Sequence, residues 1–500
     1  MRPTQRRVLS AVTLLLLTAL GGRSAGAQTT VRVSVASDGT EGNDVSLGSA
    51  LSADGRFVAF DSAATDLVAG DTNGVSDVFV HDRQTGTTER VSVASDGAQG
   101  NGSSGLVTFA FPPALSADGR FVAFVSFATN LVASDTNGAT DVFVHDRQTG
   151  TTERVSVASD GTEGNAASAG ATLSADGRFV AFHSAATNLV AGDTNATNDV
   201  FVHDRQTGIT ERVSVASDGT QGNNASSYPA LSADGRFVAF VSFATNLVAG
   251  DTNSATDVFV HDRQTGTTER VSVASDGAES NAACLGSALS ADGRFVAFQS
   301  DATDLVASDT NGTTDVFVHD RQTGMTERVS VASDGTQANN ASSYPALSAD
   351  GRFVAFQSDA TNLVAGDTNG ATDVFVHDRQ TGTTERVSVA SGGSQGNGFS
   401  AGPVLSADGR LVAFHSTATN LVARDTNGAT DVFVHDRQTG TTERVSVASG
   451  GTQGNDSSAG PVLSADGGLV AFHSTATNLV SGDANGAYDE IGRASCRERV

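Results

Sequence analysis

Four short apolar segments, separated by turn residues, recur along most of the chain, and we label them strands A to D. In the copy that ends at Ala216, strand A is the run Ala171–Leu173 and strand B is Arg178–Phe182. The FVAF sequence of strand B places large apolar side chains on both faces, which is typical of a strand buried between stacked sheets. The two strands are joined by a tight Ser-Ala-Asp-Gly turn, in which Gly accepts a positive φ.

Strand C of the same copy is predicted at Asp199–Val202 and strand D at Glu211–Val215. In strand D, Val213 and Val215 alternate with a serine, as expected of an outer strand with one wetter face. No helical period occurs between these segments, so the sequence predicts an all-β fold.

The LSADG sequence marks eight copies of this unit. They begin at Leu51, Leu115, Leu173, Leu231, Leu289, Leu347, Leu405 and Leu463. The first interval is 64 residues, lengthened by an insertion within Gly102–Pro113, and the other six are 58 residues each. A four-stranded unit cannot bury both of its faces alone, whereas radial stacking buries them and leaves only short edges. The repeat therefore predicts a single β-propeller of four-stranded antiparallel blades.

The repeat resembles the TolB-type β-propeller repeats, a WD-like group found in exported bacterial proteins. The signature of that group is a Ser-x-Asp-Gly turn, an apolar strand ending in Ala-Phe, and a strand that runs into an Asp-x-x-Thr-Gly hairpin. LSADGRFVAF and DVFVHDRQTG match this signature in seven copies, over roughly Val31–Asp489. The resemblance implies a propeller fold and, because TolB is a periplasmic interaction propeller, favours a binding role. Propellers serve many functions, so it implies no activity.

The two ends of the repeat region complement each other. Thr30–Gly39 has the sequence of a strand D without the three strands before it, and Leu463–Asp489 supplies strands A and B and the start of C. We therefore expect the N-terminal strand to complete the last blade and close a ring of eight blades. Seven blades is the alternative count.

The last segment, 490–500, departs from the repeat, which predicts Val-Phe-Val-His-Asp after Asp489. Its sequence matches the in-frame translation of a common sequencing adapter. We interpret 490–500 as a non-native tail and expect the natural chain to continue past residue 489. A genuine divergent terminus is the alternative interpretation.

The N-terminal segment Met1–Ala27 has the features of a secretory signal peptide. It contains a basic start, the apolar run Val8–Leu20 and the small-residue cleavage pattern Ala25-Gly26-Ala27. The apolar run is shorter than the ~20 residues that cross a bilayer. We expect cleavage after Ala27, a propeller domain at 28–489, export to the periplasm or medium, and no membrane span in the mature chain.

The charge balance excludes several kinds of partner. Between residues 28 and 489 there are 23 arginines, no lysine and 54 acidic residues, a net charge of −31. Nucleic acids and anionic membranes need a basic surface, so neither is an expected partner. Cys284 stands alone in this region, so no disulfide framework is predicted. We expect a monomer.

The two faces of the predicted disc differ. Because strands alternate in direction, the SADGR and DRQTG turns lie on one face, here called the narrow-turn face. The B–C and D–A loops lie on the other, the long-loop face, where variation among the copies concentrates and where binding usually resides. We predict that this face recognises a protein, peptide or glycan. The candidate residues are His183, Tyr228, Gln299, Tyr344, Gln357, Phe399, His415 and His473.

The B–C loop contains the motif Asp-x-Asn-Gly-x-x-Asp, whose alternating oxygen side chains around a Gly turn are what a calcium loop needs. The candidate ligands are Asp71, Asn73, Asp77, Asp135, Asn137, Asp141, Asp367, Asn369, Asp373, Asp425, Asn427 and Asp431. The loop is shorter than an EF-hand loop and lacks its final Glu. The alternative is that Asp and Asn cap an ordinary turn. The glycine is lost at Ala196 and Ser254, which weakens the prediction there. Calcium is the one cofactor considered.

Seven His-Asp pairs, such as His81-Asp82, occur in the C–D hairpins. A catalytic site needs different residues in complementary roles within hydrogen-bond reach, whereas near-identical copies distribute the same residues around a circle. We therefore predict no catalytic residues in this region and favour a binding or scaffold protein over an enzyme. Two alternatives stay open. One is the propeller of a hydrolase whose catalytic domain lies beyond this chain, and the other is a calcium-stiffened structural surface protein.

Overall fold

The computed structural model describes residues 28–105 and 111–494. The predicted signal peptide, residues 106–110 of the segment that contains the insertion and the last six residues of the tail lie outside the described residues. Within the described ranges no helix is long and apolar enough to cross a membrane.

In this part of the chain, 32 strands form eight four-stranded antiparallel sheets. The first strand is β1 (Thr30–Arg32). Blades 1 and 2 contain, from A to D, β2 (Ser46–Leu51), β3 (Phe57–Ser62), β4 (Asp77–Asp82), β5 (Thr87–Arg90) and β6 (Ala114–Leu115), β7 (Phe121–Ser126), β8 (Asp141–Asp146), β9 (Thr151–Arg154). Blades 3 and 4 contain β10 (Ser168–Leu173), β11 (Phe179–Ser184), β12 (Asp199–Asp204), β13 (Ile209–Arg212) and β14 (Ser226–Leu231), β15 (Phe237–Ser242), β16 (Asp257–Asp262), β17 (Thr267–Arg270). Blades 5 and 6 contain β18 (Cys284–Leu289), β19 (Phe295–Ser300), β20 (Asp315–Asp320), β21 (Met325–Arg328) and β22 (Ser342–Leu347), β23 (Phe353–Ser358), β24 (Asp373–Asp378), β25 (Thr383–Arg386). Blade 7 contains β26 (Ser400–Leu405), β27 (Leu411–Ser416), β28 (Asp431–Asp436), β29 (Thr441–Arg444), and blade 8 begins with β30 (Ser458–Leu463), β31 (Leu469–Ser474), β32 (Asp489–Ala494).

The eighth blade joins the two ends of the chain. Its strand order is β30, β31, β32 and then β1, which pairs antiparallel to β32 with Thr30 opposite Arg493 and Arg32 opposite Ile491. A strands of neighbouring blades contact one another around the axis. The predicted all-β propeller, its eight blades and its closure by the N-terminal strand are confirmed.

The core lies between blades. Val200 and Val202 of blade 3 pack with Val238 and Phe240 of blade 4, and all four side chains are fully buried. Equivalent clusters repeat around the ring, so one blade completes the core of the next. This arrangement confirms that the B strands are buried on both faces, and it explains why they carry no polar residue in their centre.

The structure shifts the bounds of all four predicted strands, and the shifts at strands A and D have a clear physical reason. Strand A of blade 3 begins at Ser168, earlier than predicted, because a bulge between Ala169 and Thr172 lets the variable segment pair with strand B. Strand D is Ile209–Arg212 and ends before the predicted Val215, because after Val213 the chain leaves its own blade. The alternating apolar and polar residues after Val213 belong to a hairpin that connects this blade to the next, in which Val215 pairs with Gln221.

That hairpin covers the outer strand of the next blade. In the hairpin after blade 1, Val93 pairs with Gln99, and the Ser95 hydroxyl accepts a hydrogen bond from the Thr152 N–H at 2.9 Å. The Thr152 hydroxyl donates to the Val93 carbonyl and lies 2.8 Å from His145 Nδ1. The same contacts recur around the ring, and Thr30 takes this position in blade 8. Covering strand D protects an edge that could otherwise pair with another chain.

Replacing Thr152 with valine keeps the side-chain shape but removes the buried hydroxyl. We expect the free energy of unfolding to fall by about 1–3 kcal/mol, because the His145 and Val93 groups lose their partner. Urea unfolding measures the change. Thr151→Val is the matched control, because the Thr151 hydroxyl is exposed, and its effect should stay within about 0.5 kcal/mol. Equal losses in the two variants would contradict this account of the hairpin.

The constant SADG turn has a structural explanation. The Ser174 hydroxyl donates to Asp176 at 2.6 Å and accepts from the Phe179 N–H at 2.9 Å. Gly177 has a φ of +69°, and a Cβ there would lie 2.3 Å from the ring of Phe121 in the preceding blade. Only glycine fits both the backbone conformation and this close approach.

Candidate binding surface at the channel mouth

One B-strand position near the long-loop face differs from blade to blade. Its occupants are Asp61, Val125, His183, Val241, Gln299, Gln357, His415 and His473. In three blades the A-strand bulge opposite is a glycine with positive φ, and a Cβ would lie within 2.8 Å of the imidazole: Gly170 to His183, Gly402 to His415 and Gly460 to His473. The missing side chain therefore lets an imidazole from strand B extend over strand A, which lines the axis.

Two blades carry tyrosine at the bulge position. Tyr228 and Tyr344 have φ values of +54° and are 61% and 66% exposed. A bulky residue in the left-handed region is uncommon, and backbone strain of this kind is often found at functional sites. The Tyr344 N–H donates to Gln299 Oε1 of the preceding blade at 2.9 Å, which fixes the bulge. The A strands surround the central channel of the propeller, and we call the end of this channel at the long-loop face the mouth. The structure thus holds two exposed tyrosine rings at the mouth.

A cavity of about 680 Å³ lies among the A strands of blades 5 to 8. Its lining includes Leu285, Gln299, Tyr344, Pro403, His415 and Pro461, and it contains no charged side chain among the described residues. This volume is typical of sites for small organic ligands, which are mostly apolar with a few polar groups.

An aromatic cluster lies in the neighbouring part of the mouth. The Phe111 ring is 5.4 Å from that of His183 and 6.2 Å from that of Tyr228. Phe111 comes from the insertion in the second repeat. Two further pairs, Phe399 with His415 and His473 with Tyr488, extend the ring contacts beside the cavity.

The structure brings the predicted binding-face residues to this mouth. Gln299, Tyr344 and His415 line the cavity, and Gln357 accepts a hydrogen bond from the Gly402 N–H of its lining at 3.2 Å. Phe399 and His473 contact the lining residues His415 and Gly460, whereas His183 and Tyr228 belong to the aromatic cluster around Phe111. Sequence reasoning missed Leu285, Pro403 and Pro461. The Tyr-Pro or Gly-Pro pair that recurs at Pro229, Pro345, Pro403 and Pro461 could have identified this part of strand A as a candidate site.

Burial disfavours the charged form of the histidines at the mouth. Burial lowers the pKa of His183 and of His473 to about 4, and it also lowers the pKa of His415. The Nδ1 atoms of His183 and His415 are buried and have no hydrogen-bond partner within the described ranges. Neutral imidazoles offer a ligand one donor and one acceptor each.

The predicted calcium loops are built around an arginine. In blade 1, Arg90 Nη1 lies 3.4 Å from Asp71 and 3.3 Å from Asp77, and Gln99 donates to Asp71 Oδ1 at 2.6 Å. The side-chain oxygen of Asn73 accepts the N–H two residues ahead at 3.1 Å, which is an Asx turn. The loops at Asp367, Asn369, Asp373 and at Asp425, Asn427, Asp431 share this arrangement. The loop at Asp135, Asn137, Asp141 differs, because Glu163 replaces the glutamine. Calcium binding stays a prediction.

The His-Asp pairs have structural partners. His203 Nδ1 lies 2.8 Å from the Thr210 hydroxyl, and burial lowers the pKa of this imidazole. Asp204 accepts two hydrogen bonds from Arg178, at 2.9 and 2.7 Å, which lower the pKa of the carboxyl. Each pair therefore ties strand C to its neighbours within one blade.

The fold and the mouth define the chain as a β-propeller protein. Among solved structures it is similar to dipeptidyl peptidase 4 from Porphyromonas gingivalis, with a TM-score of 0.51, 13% identity, and coverage of 85% of this chain and 56% of that one. It is also similar to a prolyl endopeptidase (TM-score 0.49, 12% identity, 80% and 49% coverage) and to TolB from Acinetobacter baumannii (TM-score 0.33, 16% identity, 76% and 81% coverage). The chain spans about half the length of these two peptidases. No protein-family model and no curated protein matches it. At these identities the similarity shows the fold alone.

Proposed function

We propose that the protein is an exported binding or scaffold propeller that recognises a protein, peptide or glycan at the mouth on its long-loop face. The observation that carries this proposal is the 680 Å³ cavity at the point where the variable positions of otherwise near-identical repeats meet. If the repeats served only to form the fold, their variable positions would not be expected to gather at one end of the channel.

The chemistry of the mouth favours an uncharged contact group. Exposed Tyr344 offers a flat apolar face, and Gln299 and His415 offer neutral hydrogen-bonding groups. Tyrosine combines a large contact area with a polar tip and is enriched at binding surfaces. A neutral sugar unit or an uncharged peptide side chain matches this set, although the protein as a whole is strongly acidic.

Tyr344→Ala should weaken ligand binding at least about tenfold, as truncation of a central aromatic contact typically does. The experiment screens the purified protein on arrays of neutral glycans and uncharged peptides, then measures the dissociation constant of the best binder by calorimetry. Met325→Ala is the matched control, because Met325 is 55% exposed but is the first residue of strand D, next to the C–D turn on the narrow-turn face. No binder on either array, or an equal loss in both variants, would overturn the proposal.

The similarity to peptidase propellers concerns the fold, so the hydrolase alternative depends on what lies beyond residue 489 in the gene. Resequencing the locus past that codon tests it. A downstream Gly-x-Ser-x-Gly strand–turn–helix would support a hydrolase domain.

A further inference from the structure

One position in the D–A hairpins divides the blades into two kinds. It faces the B–C loop and is glutamine in five blades and glutamate in three. The glutamines are Gln99, Gln221, Gln337, Gln395 and Gln453, and the glutamates are Glu41, Glu163 and Glu279. Glu163 faces blade 2, Glu279 faces blade 4 and Glu41 faces blade 8.

In every glutamine blade the side-chain amide donates to the first aspartate of the loop, and in four of the five it also donates to the aspartate that begins strand C. Gln221 Nε2 donates to Asp193 Oδ1 at 2.7 Å and to Asp199 Oδ2 at 3.0 Å. Arg212 lies 3.5 Å and 3.4 Å from the same two residues. One arginine and one amide therefore hold two acids, and the cluster has a net charge of −1.

In a glutamate blade this donor is replaced by a third carboxylate. Asp135, whose side chain is only 3% exposed, has an Oδ1 atom that is buried without a hydrogen-bond partner in the described part of the chain. The Oδ1 atoms of Asp251 and Asp483 are likewise buried without a hydrogen-bond partner. In the five glutamine blades the corresponding Oδ1 accepts the amide. The Oδ1 that faces the hairpin side chain is thus unsatisfied in each glutamate blade and satisfied in each glutamine blade, whereas in glutamine blades 1, 5 and 6 the oxygen without a hydrogen bond is the Oδ2 beside the arginine.

The three carboxylates of such a blade are close enough to share one ion. Asp135, Asp141 and Glu163 each offer an oxygen within 4.8 Å of the others, a spacing compatible with Ca²⁺–oxygen distances of about 2.3–2.6 Å. Arg154 contributes one positive charge at 2.8 Å from Glu163, so the cluster has a net charge of −2. A divalent cation balances that charge.

We propose that blades 2, 4 and 8 each bind a calcium ion between these three carboxylates, with water completing the shell. The ligands are Asp135, Asp141 and Glu163; Asp251, Asp257 and Glu279; and Asp483, Asp489 and Glu41. Blades 1, 5, 6 and 7, whose loops carry the full Asp-x-Asn-Gly motif, bind none, because an amide fills the position. Blade 4 binds although Ser254 interrupts the motif. The proposal does not depend on the function of the mouth.

The test follows the melting temperature of the full chain during titration with calcium chloride at constant ionic strength, at pH 7.5. The wild type should melt several degrees higher in millimolar calcium, the affinity range of extracellular calcium modules. Glu163→Gln combined with Glu279→Gln should lose most of this rise and should lower the calorimetric stoichiometry from three ions to one. These changes recreate the arrangement of the five glutamine blades, so the double variant should fold.

Gln221→Glu is the converse variant, and it should add one calcium ion per chain in blade 3. The absence of a calcium-dependent rise, or an equal rise in the double variant, would overturn the proposal. So would a melting temperature that rises on acidification to pH 6 but not with calcium, since burial and the neighbouring Asp141 raise the pKa of Asp135 to about 6 and a shared proton would then fill the position. An equal response to magnesium chloride would overturn the assignment to calcium.

Discussion

Arg32→Ala should destabilise the propeller by about 3–5 kcal/mol and open the ring. The Arg32 side chain is 4% exposed and bonds three carboxylates, with Glu41 at 3.2 Å, Asp483 at 3.1 Å and Asp489 at 3.0 Å. Its removal leaves buried negative charges without compensation, and these charges join the N-terminal strand to the last blade. No other single side chain links both ends of the chain through so many charged contacts in the described structure.

Urea unfolding in EGTA measures this loss, because calcium could otherwise replace the missing charge in blade 8. Small-angle scattering should show a larger radius of gyration if the ring has opened. Arg56→Ala is the control, because Arg56 is 40% exposed and pairs with Asp82 on the narrow-turn face, so its loss should cost much less stability than the loss of Arg32. Similar losses in the two variants would contradict the role of Arg32 in closure.

Glu490→Val should stabilise the protein by about 3–5 kcal/mol near pH 8, the second large effect expected. Glu490 occupies in β32 the position that is valine in the other C strands, and it is fully buried. Burial, together with the nearby carboxylates of Asp61 and Asp489, raises the pKa of Glu490 to about 8. Valine fills the same position in seven blades without a charge.

The pH dependence gives a second measurement of the same group. Between pH 4.5 and 8 the folded state keeps a proton on Glu490 that the unfolded chain releases, so stability falls as the pH rises through this window. The Glu490→Val variant should show a shallower decline. Some decline remains, because burial also raises the pKa of Asp489 to about 7.

The control for this variant is the converse change in an intact blade. Val432 is the equivalent residue of blade 7 and is fully buried, so Val432→Glu should destabilise the protein and introduce the same pH dependence. If Glu490→Val left both stability and its pH dependence unchanged, the buried position of Glu490 would be wrong. The interpretation of 490–500 as a non-native tail stays a prediction, although residues 489–494 pair as strand C.

Local patterns were sufficient to predict the fold. The alternation of FVAF and DVFVHD with tight turns, and the strand D without partners at Thr30, follow from side-chain size and turn chemistry within one repeat. The mouth and the glutamate blades depend on contacts that a single repeat does not contain. Gln299 accepts a hydrogen bond from the bulge of the next blade. Glu163 contacts Asn137 and Asp135, which lie 26 and 28 residues earlier in the chain. Sequence spacing alone does not show that these groups meet.

The eighth blade, which combines strands from both ends of the chain, also determines when the protein can finish folding. Thr30 and Arg493 are 463 residues apart, yet their side chains are bonded in the closing blade. A chain that emerges N-terminus first must carry β1 unpaired until β32 has emerged, so the closing step of the propeller waits until β32 has been synthesised. Contacts of such long sequence separation form slowly and leave an open strand edge in the meantime. The interval before closure is therefore when the chain is most exposed to aggregation and proteolysis.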